Sequence, residues 1–166
     1  MGVHEHRKHG RKRVSVAVIT VSSTRGQTDD ESGIWIEKHV RAEGHEVVSR
    51  QVVADDVYAI TTSLREILAS KRPHAVLING GTGITPRDVT IEAVQPLFDK
   101  EMPAFAHIFS LLSFDKVDTA ALLSRAAAGV IDGVFVACMP GSPRACRLAV
   151  GEILLPELGH ICGHLR

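Results

Sequence analysis

The sequence predicts an α/β fold, with a mostly parallel sheet and helices on both of its faces. Three observations carry that prediction. Short β-rich apolar runs alternate with segments of helical period in the order βαβαβ, and right-handed crossovers then set the strands parallel. Each apolar run ends in a polar or glycine-rich loop, the place where open α/β sheets bind ligands. The 166 residues, 45% hydrophobic and 23% charged, suffice for one domain with its own core.

Residues 1–13 (MGVHEHRKHGRKR) hold three histidines and five Arg or Lys without apolar periodicity, and are expected to form a mobile basic tail. An anion- or partner-binding arm is the alternative, and metal binding by His4, His6 and His9 a further one. Residues 14–21 (VSVAVITV) make a first central strand. Residues 22–33 follow as a polar loop, either solvated or ligand-binding. A helix is expected over 34–43, stopped by Gly44, with Trp35 packing on its face. Residues 45–53 are the second strand. Asp56 is placed to cap the helix 57–70, whose Ile60, Leu64, Ile67 and Leu68 keep helical spacing; with one of the two aspartates a cap, the other has no structural duty.

Residues 75–78 form the third strand and run into Asn79-Gly80-Gly81-Thr82-Gly83, with Thr90 expected to cap a following helix. Residues 92–98 and 101–114 are expected to be helical, with Met102, Phe105, Ile108, Phe109 and Leu112 at core spacing and His107 packed or on the surface. A small-residue helix is expected over 118–128, ended by Gly129. Residues 133–139 are a further buried strand. Ser142 is placed to cap a helix over 144–155, and residues 156–166 form a short tail folding back on the body.

In a parallel sheet of this order the strand ends set Ser22, Asp55 and Asp88 along one edge. The loops 22–33, 55–56, 80–88 and 140–144 then converge. Glycines let a backbone approach a ligand closely and turn its N–H groups toward an anion. Arg87 adds a fixed charge, and Asp88 a carboxylate able to hold Mg²⁺ or act as a base. A tight turn with an Arg87–Asp88 ion pair is the purely structural alternative. The loop has neither the Gly-Lys-Ser/Thr ending of a P-loop nor the dinucleotide glycine spacing. These loops offer no Cys or Lys nucleophile and no triad order. Backbone cradles with separated carboxylates suit a phosphorylated ligand with Mg²⁺. From the residues alone the ligand is a nucleotide or phosphate, and the reaction stays open.

Composition narrows the partners. Lys+Arg and Asp+Glu stand at 19 each and aromatics at 4%, which argues against nucleic acid. No apolar run reaches membrane-spanning length and no signal peptide is visible. Cys138, Cys146 and Cys162 lack metal-ligand spacing, so buried reduced thiols and a cytoplasmic location are expected.

Several stretches, taken together and in order, resemble the molybdenum cofactor biosynthesis B/Mog family, related to the G domain of gephyrin. They are Thr20-Val21-Ser22 with Arg25, Asp30-Glu31-Ser32-Gly33, Asn79–Gly83 with Pro86-Arg87-Asp88-Val89-Thr90, Leu123-Ser124-Arg125-Ala126, and Met139-Pro140-Gly141-Ser142-Pro143. The resemblance runs from about residue 14 to 160 and implies a single domain over 14–166, folded as a three-layer α/β/α sandwich. It implies a molybdopterin adenylyltransferase, which moves AMP from Mg-ATP onto the terminal phosphate of molybdopterin and releases pyrophosphate. Asp55 and Asp88 match the family's two acidic catalytic positions and would hold Mg²⁺. Ser22, Asp30, Ser32, Gly33, Gly80, Gly81, Thr82, Gly83 and Arg87, with Pro140, Gly141 and Ser142, match its nucleotide- and substrate-binding segments. Homotrimers or homohexamers are implied, with handover of product to a molybdate-insertion protein.

One segment departs from the family pattern. Members usually carry Pro-Gly-Phe-Gly-Glu and then an Arg three residues on; this chain has Pro103-Ala104-Phe105-Ala106-His107 and then Ser110. That departure implies the alternative function, a molybdopterin-binding or carrier protein with weak or no transfer activity.

Overall fold

The structure, a computed structural model, describes residues 10–165. Residues 1–9 of the expected tail, with His4, His6 and His9, lie outside the described residues. The part of that tail inside them lies on the body: Arg11 N–H donates to Gly159 O at 2.8 Å, and Arg13 pairs with Glu46 at 3.3 Å.

The chain runs β1 (Ser15–Val21), α1 (Glu31–Ala42), β2 (Glu46–Val53), α2 (Val57–Ser70), β3 (Ala75–Asn79) and α3 (Thr90–Val94). A 3₁₀ turn (Gln95–Leu97) leads to β4 (Lys100–Glu101), α4 (Pro103–Val117) and a 3₁₀ segment (Asp118–Leu123). Then come β5 (Ala127–Ile131), β6 (Val134–Met139) and one long helical wrap: α5 (Pro143–Cys146), a π-helical stretch (Arg147–Leu154) and α6 (Leu155–His164). The six strands form one sheet in the order β2-β1-β3-β6-β5-β4. The first three neighbouring pairs are parallel and the last two antiparallel.

Alternation along the central strands separates two cores. Val16, Val18, Leu77, Phe135 and Ala137 point to the layer of α1, α4 and the C-terminal wrap, where they meet Ile36, Val40, Phe105, Phe109 and Leu158. Ala17, Ile19, Val76, Ile78 and Val136 point the other way, onto Ile60, Leu64 and Ile67 of α2 and Ile91 and Val94 of α3. Helices therefore cover both faces, and the fold is the three-layer α/β/α sandwich the sequence implies.

Asp56 caps α2, its Oδ1 accepting from Ala59 N–H at 2.9 Å. Several expectations are corrected. Residues 118–128 are not one helix. Asp118, at φ 54°, stops α4, and Ala127–Ile131 pairs antiparallel with β6, so tertiary pairing overrides alanine's helix preference. Gly129 lies inside β5, where a Cβ would run into the Phe98 ring. The helix expected over 92–98 ends at Val94, because Pro96 follows and the chain tightens into the 3₁₀ turn. Thr90 is not the cap of α3: Val89 holds that position, and Thr90 Oγ1 donates to Gly80 O at 2.8 Å. α1 begins three residues earlier than expected, capped by Asp30. Ile108, expected in the core, is 45% exposed, whereas Phe105 and Phe109 are buried. Residues 155–164, within the tail expected to fold back on the body, are helix, with Leu158 and Cys162 buried. All three cysteines are buried free thiols, and burial pushes each up to about 12.

Candidate functional site

The parallel half of the sheet brings four loops to one edge. The first two are tied to each other. Ser22 N–H donates to Val53 O at 2.8 Å, extending the β1–β2 pairing by one step. Ser23 N–H then donates to Asp55 Oδ2 at 2.7 Å, and Asp55 N–H donates back to Ser23 Oγ at 3.1 Å. With Asp56 engaged as the α2 cap, Asp55 is the carboxylate left to face the glycine loop.

That loop leaves β3 in a conformation only glycine holds without strain. Gly80 has φ 97° and Gly81 φ 63°. A Cβ on Gly80 would run into Val21 O, and one on Gly81 would stand 3.5 Å from Asp55 Oδ1. The turn is pinned by Gly80 N–H to Met139 O at 3.0 Å and Thr90 N–H to Gly81 O at 2.9 Å. Asp88 folds back beneath it. Its Oδ2 accepts from Thr85 Oγ1 at 2.7 Å and Thr85 N–H at 2.9 Å. The Thr85 hydroxyl, then backbone N–H groups and nearby Arg125, hold the Asp88 carboxyl below the usual aspartate range despite partial burial.

Arg125 was visible in the sequence only as part of a motif, without a role. In the fold it clamps this loop. Nε donates to Thr82 O at 3.2 Å and Gly83 O at 3.0 Å, and Nη2 to Asp88 O at 3.3 Å. Its fork also holds Glu92, whose carboxyl lies below its usual range chiefly through that hydrogen bond. Arg125, rather than Arg87, is therefore the cation beside Asp88, and Arg87 is exposed.

The fourth loop packs against the third. Gly141 lies so close that a Cβ there would be 2.9 Å from Gly80 Cα. Ser32 fixes it from below, Oγ donating to Gly141 O at 2.8 Å, and Ser142 Oγ caps α5 by accepting from Ala145 N–H at 3.2 Å. Asp30 and Gly33 lie deeper. The fully buried Asp30 accepts from Thr20 Oγ1 and Gly33 N–H, both at 2.8 Å, and meets Arg50 Nη1 at 3.3 Å. A Cβ on Gly33 would collide with that carboxylate. Asp30, Ser32 and Gly33 thus support the site's floor, whereas Ser22, Gly80, Gly81, Gly141 and Ser142 line it.

The result is a cleft of about 350 Å³, walled by Ser22, Arg25, Asn79, Gly80, Gly81 and Ser142 among others. Among the described residues two buried side-chain oxygens lack a hydrogen-bond partner, Asn79 Oδ1 and Thr82 Oγ1. Both residues belong to the glycine loop. The Asn79 amide nitrogen is committed to Ile19 O and Thr20 Oγ1, which leaves Oδ1 as an acceptor wanting an N–H or O–H. Buried polar atoms left unpaired cost about 1–3 kcal/mol each, a cost that a bound polar ligand removes.

The donor set suits a hard cation only in company with a ligand. Among the described residues no three His, Cys, Asp or Glu side chains cluster as a complete cage. Mg²⁺ needs only one or two carboxylates when phosphates and water supply the rest; Asp55 beside Gly81 and Asp88 beside Gly83 are the carboxylates nearest the loop, and neither belongs to the cleft wall itself.

A family profile described as "Probable molybdopterin binding domain" matches residues 15–160. This chain belongs to the molybdenum cofactor biosynthesis family. It is 46% identical to molybdenum cofactor biosynthesis protein B of Halalkalibacterium halodurans, an alignment covering 97% of this chain and 95% of the relative. It is 42% identical to the protein of the same name from Escherichia coli, over 86% and 84% of the two chains. Among solved structures, a molybdenum cofactor biosynthesis protein B superposes with a TM-score of 0.90 at 42% identity, over 93% of this chain and 96% of that one. The tungsten cofactor synthesizing protein MoaB from Pyrococcus furiosus gives a TM-score of 0.85 at 38% identity, over 93% and 98%. The family's matched span takes in all four loops of the cleft, and the chain is a protein of molybdenum cofactor biosynthesis. No described helix is long and apolar enough to cross a membrane.

Proposed function

We propose that the chain adenylylates molybdopterin, transferring AMP from Mg-ATP to its terminal phosphate. The observation that carries this reading is the glycine-walled cleft lined by Asn79, whose buried Oδ1 is unpaired. A phosphate oxygen only accepts and cannot satisfy Asn79 Oδ1, which calls for a hydroxyl or ring N–H, so a ligand with both phosphate and sugar or heterocycle fits better than a free anion. Mg²⁺, when bound through Asp55 and Asp88, would neutralise phosphate charge. In the transfer a terminal phosphate oxygen of molybdopterin forms a bond to the α-phosphorus of ATP, the bond to the bridging oxygen breaks, and pyrophosphate leaves. The attacking phosphate needs no proton removed, so the chain acts by positioning and charge.

Two further features support the reading. The altered segment 103–110 contributes no residue to the cleft wall. A second cavity of about 290 Å³ shares Ser142 with the cleft; Lys116 there is paired with Glu152 at 3.1 Å, and Arg144 and Arg147 leave net positive charge for a second anionic substrate. Self-assembly has its own support: Leu111 (64%), Phe114 (52%), Leu122 (82%) and Leu123 (59%) are exposed on α4 and the segment after it. A homotrimer or homohexamer in the cytoplasm, passing product to a molybdate-insertion protein, completes the proposal, and light scattering on the purified chain tests its assembly.

The deciding experiment is AMP transfer with purified protein, molybdopterin and Mg-ATP, scored by pyrophosphate and adenylylated pterin. Product that disappears in Asp88→Asn supports the enzyme. The second reading, a molybdopterin carrier, rests on the replaced glycines, carboxylate and arginine at 103–110. It predicts no product while the pterin still binds.

A further inference from the structure

At the opposite end of the sheet from the cleft, α6 carries three side chains that the proposed reaction does not use. Residues 10–12 before β1, His45 before β2, and Gly159 and His160 of α6 wall a separate cavity there. On the helix, His160 and His164 are four residues apart and so share a face. Their Nε2 atoms approach to 3.0 Å, and the ring centroids lie 4.8 Å apart. Glu157 Oε2 sits 3.1 Å from His160 Nδ1.

The chemistry of this trio is specific. A carboxylate only accepts, so its contact places the proton of His160 on Nδ1 and leaves the Nε2 lone pair facing His164. In the structure the two rings are hydrogen-bonded, His164 Nε2–H donating to that lone pair; moving the His164 proton to Nδ1 breaks this bond and points two imidazole lone pairs at one place. We infer that His160 and His164 chelate a divalent transition-metal cation of the Zn²⁺, Ni²⁺ or Cu²⁺ class, with Glu157 as the carboxylate that orients and strengthens the His160 ligand. Two Zn–N bonds at a tetrahedral angle put their nitrogens about 3.3 Å apart, a small ring rotation from the separation here. Imidazole nitrogen selects these borderline cations over Mg²⁺, so this site and the cleft do not compete for one metal. Glu157 supplies negative charge. Arg11, whose Nε donates to Cys162 O on the same helix, supplies the opposing charge, so the imidazole bonds carry the affinity. A bound cation ties one turn of α6 to the next near the C-terminus.

The test uses the full chain carrying His4→Asn, His6→Asn and His9→Asn, so that the N-terminal histidines do not report. Titration calorimetry with ZnCl₂ in a non-chelating buffer is expected to give one equivalent per chain. His164→Asn on that background removes the equivalent, and Glu157→Gln weakens it about 10- to 100-fold. Circular dichroism checks that each variant keeps its fold, as expected for substitutions at partly exposed positions. No stoichiometric Zn²⁺ on the background protein, or an equivalent that survives both His160→Asn and His164→Asn, overturns the assignment. Neither result bears on AMP transfer.

Discussion

Arg125→Met tests whether one side chain holds the glycine loop in shape. The substitution keeps the stem and deletes the fork, and with it the bonds to Thr82 O, Gly83 O and Asp88 O and the pairing with Glu92. Bonds from a charged donor contribute about 1.5–3 kcal/mol each when fully buried. Arg125 is 36% exposed and Glu92 51%, so the ion pair itself contributes under about 1 kcal/mol and water recovers part of the carbonyl bonding. A net loss of about 2 kcal/mol follows, which for a chain of this size lowers Tm by about 4–8 °C. The local effect is larger: amides of residues 82–88 exchange faster by hydrogen–deuterium exchange, and pterin binding weakens with them. Arg125→Lys recovers little, since a lysine cannot reach three carbonyls and a carboxylate at once. A variant melting within about 1 °C of the parent, with unchanged exchange in 82–88, refutes the clamp.

Other substitutions probe neighbouring claims. Asp118 sits at φ 54° and ψ −145°, close to a region that only glycine occupies freely. Asp118→Gly relieves about 1–3 kcal/mol of strain, offset by about 0.5–1 kcal/mol of added chain freedom, so thermal melting should rise by a few degrees; a lower Tm rejects the strain. Gly80→Ala puts a methyl into Val21 O at φ 97° and should cost about 1–3 kcal/mol or more while abolishing pterin binding, read by melting and direct titration. Thr85→Val removes the main cause of the lowered Asp88 pKa. A carboxylate whose folded pKa is depressed contributes stability above its unfolded value near 3.8, and loses it as pH falls through the lower folded value. The Tm gap between parent and variant should therefore be full above about pH 5 and close as pH falls through the lower folded value; a gap independent of pH contradicts that assignment.

The sheet and its ligand edge were legible because apolar strands and the loops after them are local patterns. Asp55 and Asp56 show how far that goes: Asp56 was legible as the cap, as its bond from Ala59 N–H shows, whereas the Ser23 contacts that hold Asp55 lie 32 residues away and had no local signal. Residues 118–131 misled because alanine-rich sequence favours a helix in isolation, while the partner that turns it into β5 lies in β6. Asp30 and Ser32 looked like ligand groups on a polar loop. Their targets, Arg50 and Gly141 O, are distant in sequence, so nothing local marked them as supports. The Arg125 clamp on residues 82–88 was hidden for the same reason.

The two ends of the strand order are unequal, and this limits how chains can join. β4 offers two residues, both charged and exposed, whereas β2 offers eight. Fibrillar growth by strand addition requires each molecule to present two receptive borders. Among the described residues this chain presents one, so pairing of that kind joins β2 to β2 and stops at a closed pair.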